Sequence, residues 1–176
     1  MHVPWFCYLP SNTNSLRMIT IRPLQEEDFE LILDWENRPE LWQFSEQQGP
    51  FPMEDIKSFH SKCLDHNNTE IKRWLICRET EPIGAVDIFE IDTTNHHCGI
   101  GIFITEAHHR RKGYASKALL LVLKELHIIG LRLVRAIIYN DNIQSRNLFS
   151  KAGFSEGAAL IYKGKLATQY ICNLQE

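Results

Sequence analysis

The segment Arg110-Arg111-Lys112-Gly113-Tyr114-Ala115 sets three cations beside a glycine, where an apolar strand at 99–104 gives way to a helix. Backbone N–H groups at a helix start lack intrahelical acceptors and lie at the positive end of the helix dipole, so they bind anionic oxygens. A glycine lets the backbone approach such a ligand without an intervening Cβ. Residues 110–116 therefore read as a phosphate cradle. Neither the dinucleotide fingerprint G-x-G-x-x-G nor the nucleotide loop G-x-x-x-x-G-K-[ST] reads through the segment, which excludes the two commonest phosphate loops.

A second constellation follows: Asn142, Ser145, Leu148, Phe149, Lys151, Gly153 and Phe154. It resembles the N-x-x-S-x-x-L-Y-x-K-x-G-F segment of the GNAT acetyltransferase superfamily, and Arg110-x-x-Gly113-x-Ala115 resembles that superfamily's pyrophosphate signature. The two occur in the family's order, and the similarity runs from about residue 19 to residue 174. The opening Ile21-Arg22-Pro23-Leu24, the segment Trp35-Glu36-Asn37 and the close at 153–157 are most similar to the RimJ/RimL-type branch. That branch includes acetylases of protein N-termini and spermidine acetyltransferases.

The resemblance implies acetyl-CoA as co-substrate and an amine as acceptor, joined by direct transfer without a covalent enzyme intermediate. It implies that Arg110, Arg111, Lys112, Gly113, Tyr114, Ala115 and Ser116 hold the diphosphate. It further implies that the strand at 99–104 splays from the next one, so that Ile102, Phe103 and Ile104 meet the pantetheine amides, with Asn142, Ser145 and Phe149 on the same arm. The segment 35–51 would cover the acceptor, which makes Glu36, Trp42 and Phe44 candidate substrate contacts. Two features also stand on residue type alone. Asn142 suits a helix cap, and Gly99 with Gly101 weakens a strand and permits a bulge or close backbone approach.

Proton handling is the open part of the chemistry. Phe149 stands where many relatives carry the tyrosine thought to protonate the leaving thiolate, and it has no proton to give. A thiol of pKa about 8.5 is a fair leaving group near neutrality, and water or Ser145 could substitute. On the base side, freeing a lysine-like amine of pKa about 10.4 at neutral pH costs about 4.6 kcal/mol, against about 1.4 for an α-amine near 8. Glu90 is the named candidate, with Asp87, Asp92, Glu36, His96 and His97 as alternatives; the strand start at Cys98-Gly99, where relatives often have glutamate, carries no acid. The absent tyrosine and glutamate also motivate the competing reading, an acetyl-CoA-binding regulatory domain without catalysis.

Periodicity supplies the elements that must position these residues. It predicts a strand at 19–21 stopped by Pro23, a helix from Glu26 bounded by Pro39, and a helix from Met53 to about Asp65. Strands at 74–77, 83–91 and 99–104 read as an antiparallel meander. The apolar stripe Ala115, Ala118, Leu119, Val122, Leu126, Ile129 marks the clearest helix, ended by Gly130. A strand at 133–139, a helix at 143–152 and strands at 154–162 and 168–174 complete an α/β chain of order β-α-α-β-β-β-α-β-α-β-β. The expected fold is thus one domain, a mixed sheet of about seven strands with helices on both faces.

Composition fits that domain. The chain has 176 residues, 44% hydrophobic and 23% charged, enough for one core without metals or disulfides. A net charge of −3 and a pI near 6.2 speak against a nucleic-acid partner, and no apolar run long enough for a membrane span occurs. Cys7, Cys63, Cys77, Cys98 and Cys172 are odd in number and scattered, which suits a reducing compartment and a cytoplasmic location. His108, His109 and Cys98 fit no zinc spacing, so no metal is expected. Residues 1–17 lack a cationic start and a small-residue cleavage site; they read as an extension or mis-assigned start before a domain at 18–176. A homodimer through the last strands is left open.

Overall fold

The computed structural model describes residues 18–42 and 49–174. Seven strands occur in chain order: β1 (Ile19–Pro23), β2 (Ile71–Arg78), β3 (Glu81–Asp92), β4 (His97–Ile104), β5 (Leu133–Tyr139), β6 (Ser155–Tyr162) and β7 (Lys165–Asn173). They form one sheet of order β1-β2-β3-β4-β5-β7-β6, antiparallel except where β4 runs parallel to β5. The helices are α1 (Phe29–Glu36), α2 (Pro39–Trp42), α3 (Met53–Leu64), α4 (Tyr114–Ile128) and α5 (Ile143–Lys151). This is the expected mixed single-domain α/β fold with helices on both faces.

Alternation along the central strands separates two cores. Trp74, Ile76, Val86 and Val134 pack under α4 and α5 through Ala118, Leu119, Val122 and Phe149. On the other face Leu75, Cys77 and Ala85 pack against Ile32 and Trp35 of α1 and Ile56 and Cys63 of α3. Between β4 and β5 lies the crossover α4, as a parallel pair requires.

Several boundaries differ from the sequence reading, three of them for a plain backbone reason. Pro23 does not stop β1 but belongs to it, opposite Trp74; β1 is an edge strand, where a missing N–H is tolerated. The first helix ends at Glu36, and Pro39 opens the short α2 instead of closing α1, since proline suits a first helical position. Strand β7 starts at Lys165 because Lys163 (φ 48°) and Gly164 (φ 78°) both take positive φ, the backbone of a two-residue hairpin turn.

Gly99 is one of the close-packed glycines. A Cβ there would fall 2.1 Å from the ring of Phe89 on the paired strand, whereas at Gly101 the nearest atom is 3.9 Å away. Gly99→Ala is expected to destabilise the fold by about 1–3 kcal/mol through overpacking. In a Phe89→Ala background the same change should cost almost nothing, and denaturant midpoints of the four chains would show this coupling. Equal costs in both backgrounds would contradict the assigned contact.

Candidate active site

The β4–β5 ladder is short. It pairs His97 with Leu133, Cys98 with Val134 and Gly99 with Arg135, and then stops, while β4 stays joined to β3 through to Gly84–Ile104. Beyond Gly99 the strands part, so backbone groups of residues 100–104 that face β5 have no strand partner there. A cavity of about 620 Å³ opens at the parting. Its lining draws on both cores: Trp35 and Leu41 from one face, Ile138 and Phe149 from the other. Such a passage lets two molecules meet within the sheet from opposite faces.

At the end of β4 the chain turns into α4. Gly113, φ 79°, caps the helix in a left-handed conformation and offers no side chain to it; a Cβ there would meet no protein atom within 4 Å. Lys117 N–H donates to Gly113 C=O at 3.1 Å and closes the first turn. The amides of Tyr114, Ala115 and Ser116 are thereby left without intrahelical acceptors and point out of the helix start. Arg111 (φ 58°) and Lys112 are exposed beside them. Arg110 differs: its Nε donates to Ile104 C=O (3.1 Å) and Nη2 to Thr105 C=O (2.7 Å), so its guanidinium ties the loop to the strand end. Tyr114 is 6% exposed and packs edge-on against His109, leaving only its main chain for a ligand.

On the opposite wall Asn142 caps α5, its Oδ1 accepting from Ser145 N–H at 3.0 Å. Ser145 and Phe149, one helical turn apart, both line the cavity with Asn142. The Phe149 ring lies edge-on to Phe154, centroids 4.9 Å apart. Ile102 and Phe103 also line the cavity. Ile104 does not: it is buried, and its carbonyl accepts from Arg110.

The α1 side of the cavity holds a charged group that the sequence reading passed over. Arg73 Nε and Nη2 donate to Asp87 Oδ1 (2.7 Å) and Oδ2 (2.8 Å), and Nη1 donates to Glu36 Oε1 at 2.5 Å. Its guanidinium lies 4.5 Å from the Phe59 ring centroid and 5.4 Å from that of Phe103. Burial works against this charge, but Asp87 and then Glu36 outweigh it and hold the Arg73 pKa above its ordinary value. Arg73 pairs across the ladder with Asp87, and Asp87 with Gly101, so a side chain is missing where the row reaches the parting. The strand expected at 74–77 excluded Arg73. Its alternation with the buried Leu75 and Cys77 was the available signal.

Of the candidate bases, Glu36, Asp87 and Glu90 line the cavity. Glu90 is exposed at φ 50°, on a bulge where the β3–β4 register shifts. The other three are not brought there. Asp92 accepts from the turn at Thr94 and Asn95, His96 contacts Gly130 C=O, and His97 accepts from Arg135. Trp42 lines the cavity and donates Nε1–H to Glu36 C=O at 2.8 Å; Phe44 lies outside the described residues. The phenols Tyr139 and Tyr162 also reach the lining, unanticipated from sequence. Burial pushes the Cys98 and Cys63 thiols up to about 12, which keeps both protonated and poorly nucleophilic. Among the described residues no group of three or more His, Cys, Asp or Glu could hold a metal, and no helix is long and apolar enough to cross a membrane.

Residues 18–155 match the family described as acetyltransferase (GNAT) domain. The chain is 30% identical over 142 residues to the uncharacterized protein MJ1062 of Methanocaldococcus jannaschii, covering 78% of this chain and 28% of that longer protein. A domain from the same organism superposes with a TM-score of 0.74 at 27% identity, covering 89% of this chain and 99% of that one. The spermidine N-acetyltransferase of Vibrio cholerae, solved with CoA and spermine, superposes with a TM-score of 0.80 at 18% identity, covering 89% and 95%. With its parted strands, its glycine-capped helix start and a family match that runs from Met18 to Ser155, the chain belongs to the GNAT acetyltransferases, whose acetyl donor is acetyl-CoA.

Proposed function

We propose that this protein is an acetyl-CoA-dependent N-acetyltransferase that moves the acetyl group directly onto a primary amine. The single observation that carries the reading is the alignment of the β4–β5 parting with the free amides of α4 at the end of the same strand. A thioester laid along residues 102–103 would have its pyrophosphate at 113–116 and its acyl carbon in the gap. The similarity of the chain's opening and close to the RimJ/RimL-type branch supports a place there. The V. cholerae relative, solved with spermine, supports an amine acceptor.

The amine enters from the face of α1 and attacks the thioester carbonyl; an N–H of β4 left unpaired at the parting stabilises the developing oxyanion. Both Asp87 oxygens and Glu36 Oε1 are engaged by Arg73, whereas Glu90, on its bulge, makes no such ion pair among the described residues and is placed to receive the amine proton directly or through water. Ser145 stands one turn from Phe149 on the donor side, where a hydroxyl can return a proton to the departing thiolate. No described cysteine is needed as a nucleophile.

Two outcomes test this. Gly113→Glu sets a carboxylate among the cradle amides and should abolish binding of acetyl-CoA measured by calorimetry; retained affinity would overturn the cradle. Glu90→Gln should lower kcat/KM for thiol release by about 10²-fold, within the usual worth of a general base. It should leave acetyl-CoA affinity unchanged. A variant that keeps the wild-type rate would remove Glu90 from the proton path.

A further inference from the structure

The charges of the acceptor half point to what kind of amine it takes. Among the described residues, the charged side chains of the cavity lining are Glu36, Arg73, Asp87 and Glu90. Three of them form one buried unit: the Arg73 side chain is 6% exposed, Glu36 24% and Asp87 23%. Two carboxylates with one guanidinium leave that unit a single negative charge. Glu90, at the mouth, is exposed, and solvent and salt screen its attraction.

We infer that Arg73 is a specificity-determining residue that sets the acceptor to carry one ammonium on an otherwise uncharged body. The proposal rests on the amine-acceptor reading above. Arg73 occupies both oxygens of Asp87 and one of Glu36, so among the described residues Glu36 Oε2 is the oxygen of the unit left to meet an incoming N–H. One ammonium neutralises the unit. A second ammonium brought to the same depth meets the Arg73 charge in a poorly hydrated site, where like charges repel strongly. The remaining walls, Trp42 and Phe89, offer apolar faces that accept an uncharged body.

The test uses two acceptors of equal length that differ in one terminal group, 3-amino-1-propanol and 1,3-diaminopropane. Each is titrated into the CoA-bound protein at neutral pH and followed by amide chemical shifts, with thiol release from acetyl-CoA measured in parallel. The wild type should bind the amino alcohol about fivefold more tightly, and Arg73→Gln should shift the ratio about tenfold toward the diamine, while Arg73→Lys, which keeps the charge, should retain the wild-type ratio. A purely structural role would harm both variants and both ligands alike. Preference of the wild type for the diamine would overturn the proposal, as would an unmoved ratio in an Arg73→Gln chain that melts normally. If that variant does not fold, the wild-type ratio decides. An intact binding ratio without thiol release from any amine would defeat the transferase reading and uphold the charge assignment.

Discussion

The early end of the β4–β5 ladder is the constraint on which the rest depends. Parallel pairing holds for three residue pairs and fails after Gly99. Since β4 remains laddered to β3 from Gly99 to Ile104, the parting leaves one edge of a rigid strand unpaired instead of loosening the strand itself. Unpaired main-chain groups inside a sheet are costly unless something meets them. A ligand with its own amides is a natural partner. The crossover helix that joins the two strands begins at the same end, so its free N–H groups face a ligand laid along the strand edge, in keeping with the rule that α/β folds bind ligands at strand C-termini.

Charge is distributed to match. Exposed cations at Arg111 and Lys112 stand by the cradle, while Arg110 braces the loop by binding two carbonyls. On the α1 side of the cavity, a buried guanidinium is held between two aromatic rings and two carboxylates. Removing one partner from such a unit typically costs about 3–5 kcal/mol, because the others are left uncompensated. The cluster therefore fixes α1 to β2 and β3 as firmly as it sets the local field. Between the halves, burial keeps the thiols neutral, and the chemistry falls to oxygen and nitrogen groups.

The long elements were legible because their patterns are strong. The stripe from Ala118 to Leu126 faces the core, and Gly113 caps α4 where strand and helix were expected to meet. What sequence hid was side-chain direction and pairing. Arg110 has the same charge as Arg111, yet only the fold shows that Ile104 and Thr105 carbonyls claim it. Arg73 and Asp87 lie fourteen positions apart, and their apposition follows from the β2–β3 register, which local patterns do not specify. Asp92, His96 and His97 have the right chemistry, but the turn and the start of β4 consume them. Gly99, read as permitting a bulge or a close backbone approach, instead makes room for a side chain, the Phe89 ring.

The central claim is that one ligand spans the parted edge of β4 and the start of α4. Amide-resolved chemical shifts during titration with CoA test it most directly. Residues 102–103 and 113–116 should move together with one affinity, while the exposed side of α3 near Lys57 stays still. Shifts confined to either patch alone, or absent from both, would contradict the account.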